Sequence, residues 1–568
     1  MADTTKYTRT SLAFGNADPA LVDFDQRLRE GPSAAIEHFR SLFMSRGPAP
    51  MPARGELMTA IYVISFRFSF RDGEDWVWPP KLEELWDINR NVETVDALGP
   101  ELWRACIGSE LPMLLIDIIA AKDFFAQPAA WITAVLDCLF GFMEIVIYDI
   151  EPKANTPRGG PGSGFLPLPF VKKFLRKTRL VWDAVWEHRT EVVAADADRR
   201  LRTIEKLAHF VERAYRYKYS IHGDLVGTKI AYIALFSWTA QSRTSITQVG
   251  EGTGLSAFLS FVDETRSASG TDTVQTIMPD IINSIGLEKI LTTARTSLDH
   301  SALGQMKDES LRRVLQTVDA IVRTNLDTRM TFWNFSFAPS AMKALRRQSK
   351  EGVPIFEDWK TNIRIVNCCM GLIHTAIVGL FVSNTKLPPG EDIFFLQERA
   401  VQCALAGMAA LGSVYDTVNG DMVVFNELFE PFLMQWSDTH LRKLVGLGQE
   451  RLLQSYKTVA CECWYENMRN IRGARYTQIT RDSYQMLVDC WSLLGKALSL
   501  DEVKERDRFE TRRTRLCSWK MCPSHQKPSD KPLQVCKGCK EARYCSRECQ
   551  MSDWKDGGHR KLCRRLKQ

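Results

Sequence analysis

Residues 517–563 read CSWKMCPSHQKPSDKPLQVCKGCKEARYCSRECQMSDWKDGGHRKLC and hold seven of the chain's fifteen cysteines plus one histidine. They fall into four close pairs: Cys517/Cys522, Cys536/Cys539, Cys545/Cys549 and His559/Cys563. Two soft donors a few positions apart can reach one metal ion from a single turn, and tetrahedral zinc needs two such pairs. Eight donors therefore make two closed sites with no position left for water, the pattern of structural zinc. If neighbouring pairs share an ion, the segment becomes two successive beads. If the first and third pairs share one ion and the second and fourth the other, it is cross-braced into a single small domain with little apolar core.

The residues around the donors carry a further signal. Cys536-Lys537-Gly538-Cys539, Tyr544-Cys545-Ser546-Arg547-Glu548-Cys549-Gln550, Asp553-Trp554-Lys555 and His559-Arg560-Lys561-Leu562-Cys563 together resemble the MYND zinc finger, over about a tenth of the chain. The resemblance implies the cross-braced arrangement. Cys517, Cys522, Cys545 and Cys549 would then hold one zinc ion, and Cys536, Cys539, His559 and Cys563 the other. One feature departs from the family: four residues, Ser518 to Met521, separate the first pair, where two are common. His525 lies close enough to stand in for Cys517 as a donor.

Residues 546–555 read as a short helix, ended by Gly557-Gly558 in the left-handed conformation that glycine tolerates. Gln550 and Trp554 are four apart and share a face of it. The resemblance implies that Ser546, Gln550 and Trp554 border a shallow groove for proline-containing peptides, often of the form Pro-x-Leu-x-Pro. An indole suits proline because the ring is flat, apolar and already conformationally restrained. Trp554 can equally cover a zinc site as the small domain's apolar core, and the two roles are compatible. A RING-type ligase would place a Cys-x-His pair second, where this chain has Cys536 and Cys539. MYND fingers also sit inside SET-type methyltransferases, but no Asn-His dipeptide occurs here and the finger follows the body instead of interrupting it.

A chain of 568 residues exceeds one ordinary core, so three or four domains or one extended helical array is expected. Its 45% hydrophobic, 25% charged and 10% aromatic residues match a soluble globular protein. The first residues, Met1 to Tyr7, lack the charged and apolar regions of a signal peptide. The apolar runs 131–148 and 368–383 are expected to be buried helices: the first carries Asp137 and Glu144, the second is short for a span and contains His374. No membrane partner is expected. With no secretory signal, eight cysteines scattered outside the finger and an odd total, a reducing compartment is expected, nucleus or cytoplasm.

Charge is uneven. The chain carries +6, yet from Cys517 onward thirteen Lys/Arg face five Asp/Glu, leaving −2 for everything before it. A basic tail suggests an anionic partner, and nucleic acid is the obvious candidate. Two zinc ions and seven thiolates would lower the finger to about +5, so part of the excess offsets negative zinc–thiolate clusters.

The rest of the chain is predicted to be predominantly helical, an irregular array for which an armadillo-like arrangement is one compatible form. Leu21, Phe24 and Leu28, then Ile36, Phe39 and Phe43, follow helical spacing. So do Ile132, Val135, Leu136, Leu139, Phe140, Met143 and Val146; Leu201, Ile204, Leu207, Val211, Ala214 and Tyr215; and Leu311, Val314, Leu315, Val318, Ile321 and Val322. Each set has charged residues off its apolar face. Period-two alternation over Ile64–Phe70 predicts a strand, and Trp333–Phe337 alternates more briefly. Connectors are expected over 46–54, around Trp76 and Trp78, over 151–169, over 384–391 and near Gly473–Thr477. The glycines of 151–169 do not form a phosphate loop, because no Gly-Lys-Ser/Thr follows them. The segment 501–515 is densely charged and reads as a helical spacer solvated on nearly all sides.

The expected organisation is an N-terminal helical region (1–150), a main helical region (170–500), the charged spacer (501–515) and the finger (517–563). Cys368-Cys369 and Cys461-Glu462-Cys463 read as core cysteines, and His374 as a hydrogen-bonded buried histidine. Metalloprotease, hydrolase and dinucleotide motifs are absent from the sequence, so no catalytic residue is assigned. The function expected is that of a non-enzymatic adaptor whose finger, loaded with two zinc ions, captures a protein or peptide partner. An enzyme with a site assembled inside the helical body, and a nucleic-acid binder using the basic tail, are the alternatives.

Overall fold

The structure is a computed structural model that describes residues 19–46, 55–68, 105–150, 167–193, 197–218, 228–240, 253–268, 271–299, 306–324, 326–350, 359–379, 386–411, 449–474, 476, 480–519, 521–525 and 527–563. The expectations made for Trp76, Trp78, 151–166 and most of 46–54 lie outside these residues. The chain divides into two compact units, Met1–Thr331 and Phe332–Gln568. Among the described residues every regular element is helical except one two-stranded ribbon in the finger.

The first unit contains α1 (Pro19–Glu30), α2 (Pro32–Ser45), α3 (Glu56–Phe68), α4 (Leu111–Ala120), α5 (Ala129–Ile150), α6 (Leu168–Lys177), α7 (Arg179–Glu187), α8 (Arg189–Val192), α9 (Ala197–Lys218), α10 (Ile230–Ala240), α11 (Thr253–Ala268), α12 (Thr271–Ile285), α13 (Leu287–Asp299), α14 (Asp308–Val322) and the start of α15 (Leu326–Phe335). At its centre α5 packs between α3 and α9; α9 continues onto α10 and α11, and α11 onto α14. The apolar positions predicted on α5 are all buried, but so are Ala134, Cys138 and Phe142 off that face. This helix is enclosed on nearly every side instead of lying on a core. Asp137 is enclosed with it at 1% exposure, which the Thr203 hydroxyl of α9 makes tolerable by donating a 3.0 Å hydrogen bond. Across the same seam Phe140 stacks on Phe210 at 5.3 Å.

Two sequence expectations fail here for one reason. Residues 64–68 of the predicted strand form the last turns of α3, because Leu57, Met58, Ile61 and Ile64 before them already bury a helical stripe. The alternation at Trp333–Phe337 is a helix junction: Ser336 adopts φ 51° between α15 and α16 (Phe337–Lys350). The helices on either side of the glycine- and proline-rich run after 150, α5 and α6, meet directly through Phe142 and Phe174 at 5.4 Å within the first unit.

The second unit continues from α16 to α17 (Trp359–Gly379), α18 (Gly390–Leu411), α19 (Glu450–Gly473), α20 (Arg481–Ala497), α21 (Glu502–Arg513) and the finger. Each of α16 to α19 packs on the next, and α19 also carries α20 and α21. Over Lys360–Gly379, α17 is long and apolar enough to cross a membrane by length and composition, with 67% of its most apolar stretch buried inside the unit. Cys368 and Cys369 are core residues there, whereas Cys461, Cys463 and His374 are only half-buried. Two buried tryptophans lock α19 to α20 reciprocally: the Trp464 indole N–H donates to the Trp491 carbonyl, and the Trp491 indole N–H to the Trp464 carbonyl, both at 3.0 Å. Each indole thereby gains the partner that a buried tryptophan requires.

The charged helix α21 forms where expected, with the Asp501 side chain accepting from the Lys504 backbone N–H at 2.9 Å as its N-cap. It is not solvated all round. Phe509, 7% exposed, lies against Tyr465 and beneath the Arg469 guanidinium of α19. Arg472 pairs with Glu502, and Arg512 reaches Glu462 and Glu466 at 3.5 and 3.6 Å. Burying one phenyl ring contributes about 1.5–3 kcal/mol, and each partly exposed ion pair about 0–1 kcal/mol, so Phe509 supplies most of this docking.

Close backbone approach makes Gly390 a sensitive position. A Cβ there would stand 2.4 Å from the Tyr456 backbone nitrogen and 2.6 Å from the Leu452 carbonyl oxygen of α19. Backbone atoms cannot step aside as a flexible side chain would, so Gly390→Ala must push α18 from α19. Urea unfolding of this variant should show a loss of about 1–3 kcal/mol, with zinc content unchanged. A wild-type midpoint would show that the two helices do not meet this closely.

Candidate metal centre

The finger is built on short turns. Strand β1 (Gln534–Val535) pairs antiparallel with β2 (Arg543–Tyr544), Gln534 opposite Tyr544 and Val535 opposite Arg543. The chain reverses between them through Cys536 to Lys540: the Cys536 N–H donates to the Ala542 carbonyl at 2.8 Å, the Lys540 N–H donates to the Cys536 carbonyl at 2.9 Å, and Lys540 turns at φ 57°. Helix α22 (Arg547–Lys555) starts at Ser546, whose hydroxyl accepts from the Cys549 N–H at 3.2 Å. Gly558, at φ 80°, lies between α22 and the short α23 (His559–Leu562), where only glycine turns without strain.

These turns bring the eight donors together in two sets. Cys517, Cys522, Cys545 and Cys549 form one, and Cys536, Cys539, His559 and Cys563 the other, with all donor atoms of a set within 4.8 Å of one another. The first pair meets the third and the second meets the fourth, so the segment is cross-braced. In the first set the Cys545 sulfur stands 3.4 Å from that of Cys522 and 3.5 Å from that of Cys549. In the second, the His559 Nε2 stands 3.4 Å from the Cys536 sulfur and 3.8 Å from that of Cys539, and the Cys536 and Cys563 sulfurs are 3.9 Å apart. A tetrahedron of ~2.3 Å zinc–sulfur bonds has edges of roughly 3.8 Å, and a disulfide would need sulfurs near 2.05 Å. The donor sets fit zinc, and all seven cysteines are free thiols.

The electrostatics favour a cation. Burial pushes the Cys536 thiol up, but backbone N–H groups and the His559 imidazole outweigh it and hold it at about 6. Burial and the neighbouring thiols push Cys563 to about 11 and Cys545 to about 12. One sulfur of a set can be a thiolate because its neighbours donate to it, and the next then resists losing its proton. A divalent ion removes that resistance, which is why metal binding and thiol deprotonation are linked.

The wide first pair is closed by its own hydrogen bonds. The Cys517 N–H donates to the Ser524 carbonyl at 2.8 Å and the Cys522 N–H to the Trp519 carbonyl at 3.0 Å. His525 stays outside the first set, whose fourth donor is the Cys517 sulfur itself, and its Nδ1 donates to the Cys517 carbonyl at 2.8 Å. Ser518 ties this turn to the ribbon, its N–H donating to the Arg543 carbonyl and its hydroxyl accepting from the Arg543 N–H.

The apolar centre of the finger is Tyr544, fully buried beside Cys517, Cys522, Cys536, Ala542 and Cys549, with Trp519 against the group. Its hydroxyl donates to the buried Asp553 carboxylate of α22 at 2.7 Å, and burial followed by this bond pushes the phenol far above its usual range. Trp554 was the alternative candidate for this role, beside its expected place in the groove. Trp554 is only half-buried and meets His559 edge-on at 5.8 Å, while Gln550 lies half-buried one turn before it. The signal for Tyr544 was its place next to Cys545, one residue after an alternation too short to register as a strand.

Residues 517–563 match the family model of the MYND finger. No curated protein and no solved structure matched the chain. The finger is thus a zinc-binding module of a kind that commonly mediates protein interactions, on a helical body without a family assignment.

Structural zinc supplies ~10 kcal/mol or more of apparent folding free energy, and the finger has one aromatic core residue of its own. Chelation of the full chain should therefore remove two zinc ions per chain and unfold the finger, leaving most helical circular dichroism in place. Loss of that helical signal on chelation would show that the body also depends on metal. Tyr544→Phe should keep both ions but destabilise the finger by about 1–3 kcal/mol, since Asp553 loses its buried donor; an unshifted zinc-release midpoint against a competing chelator would count against the buried pair.

Proposed function

We propose that this protein is an adaptor whose finger, with Cys517, Cys522, Cys545 and Cys549 on one zinc ion and Cys536, Cys539, His559 and Cys563 on another, captures a proline-containing segment of a partner protein. The observation that carries this proposal is the face of α22. Gln550 and Trp554 stand there one turn apart, both half-buried, with the indole edge against the ligand-set residue His559. An indole held on one side and open on the other offers a flat apolar wall, and the Gln550 amide offers a donor and an acceptor for an extended backbone. Ser546 lies at the head of this face, its hydroxyl engaged as the helix cap. Its contribution to a partner would come through the position of α22.

Zinc here is structural: each set has four protein donors, so neither ion would activate water or substrate. The ions would fix α22 relative to the ribbon, and the partner would meet only protein atoms. Thiols that must stay reduced to bind metal support an intracellular setting, nucleus or cytoplasm.

Trp554→Ala should retain two zinc ions per chain yet weaken binding of proline-containing partner peptides by about tenfold or more, an indole anchor being worth upwards of 1–2 kcal/mol. Cys549→Ser should lose metal and binding together. Charge reversal at the exposed Lys527, Lys531 and Lys537 should leave peptide binding within a few-fold, as rim charges usually do. Wild-type binding by Trp554→Ala, together with loss of binding and of its salt dependence in the charge-reversed protein, would replace the peptide face with an anionic partner.

A further inference from the structure

Helix α21 joins the finger to α19, and its described contacts there include one buried ring and three ion pairs, Arg472 with Glu502 and Arg512 with Glu462 and Glu466. On one side Phe509 enters the space between Tyr465 and Arg469. One turn before the finger, Arg512 enters an acidic socket: Glu462 at 3.5 Å and Glu466 at 3.6 Å on α19, with Glu398 of α18 behind them, held by the Asn467 side-chain amide at 3.4 Å. Two carboxylates meet the guanidinium directly, and Glu398 lies near enough to feel its charge. Burial and the nearby Glu466 raise the Glu398 carboxyl above its usual range, and the Cys463 thiol beside it is pushed to about 11 by burial and Glu398. The finger end of α21 has contacts of its own. The Ser529 N–H donates to the Arg515 carbonyl at 2.9 Å, and Arg513 faces Glu541 at 3.9 Å.

We propose that α21 is a latch: Phe509, together with Arg512 between Glu462 and Glu466, holds the finger in one orientation on the helical body, and reversing the charge at position 512 loosens α21 so that it and the finger move together while both stay folded. The asymmetry of the contacts supports this. The finger's fold rests on its metal donors and Tyr544, and the body's on α16 to α20, so neither depends on α21. The docking itself rests on one apolar side chain, on the Arg472–Glu502 pair and on Arg512 between Glu462 and Glu466, whose charges repel each other once Arg512 leaves. Any change that neutralises or reverses position 512, or adds a cation competing for the socket, would open the latch. Latched, a partner meets the α22 face and the body as one surface; open, it meets the finger alone.

Hydrogen–deuterium exchange of the zinc-loaded full chain tests this directly. In Arg512→Glu the amides of 502–513 should exchange about tenfold faster or more, the signature of an element released from its packing, while zinc content and the thermal midpoint of the body stay as in wild type. Phe509→Ala should behave alike. Pairing Arg512→Glu with Glu466→Arg should restore slow exchange, because the opposite charges are exchanged across the same gap. Unchanged exchange in Arg512→Glu would overturn the proposal. Faster exchange accompanied by zinc loss or an earlier body transition would also overturn it, by making Arg512 part of a fold instead of a latch, as would failure of the charge-swapped protein to recover.

Discussion

The finger depends on one constraint: its two donor sets are interleaved along the chain. The first set cannot close without Cys545 and Cys549, and they lie beyond Cys536 and Cys539 of the second. Closing both therefore ties every turn of residues 517–563 to every other. Four soft donors within 4.8 Å of one another are unfavourable without a cation, as the opposed shifts within each set express. The metal requirement and the compactness of the finger have the same origin. Everything proposed for the α22 face follows from it, because α22 starts between two ligands of one set and ends just before a ligand of the other.

The helical body is held differently. It buries apolar surface, and its central helices are enclosed instead of resting on a single core layer, as α5 shows in the first unit. Enclosure forces polar groups such as Asp137 to find partners inside, and Thr203 supplies one. In the second unit the reciprocal Trp464–Trp491 bonds do the same for two indoles. These contacts use no donor of either metal set, so the finger and the body are expected to respond to different perturbations. The charged helix α21 belongs to neither scheme and docks on α19 through one buried ring and a few ion pairs.

Legibility followed the length of the pattern. Long stretches with unbroken three-and-four spacing, such as Leu311 to Val322 and Leu201 to Ala214, became helices with those residues buried. Short alternations misled. Ile64 to Phe70 alternates, yet the helix begun at Glu56 runs through its first half, since extending an existing helix costs less than nucleating a strand with no partner. The charged run 502–513 was legible as a helix but not as a docked one. One phenylalanine and one valine among ten polar residues leave no periodic trace, and the partners of Phe509, Tyr465 and Arg469, come from another helix.

The sequence by itself determined the eight donors, their grouping into four pairs, the closed character of the sites and the helical class of the body. Each rests on residues within a few positions of one another, where spacing is geometry. The partition of the pairs between two ions was only implied by resemblance, and tertiary structure decided it. Tertiary structure also decided that His525 faces a carbonyl, that Tyr544 and not Trp554 fills the finger, and that Arg512 reaches two glutamates on α19. These outcomes depend on groups far apart in the chain that meet only once it has folded, and local spacing carries no record of such meetings.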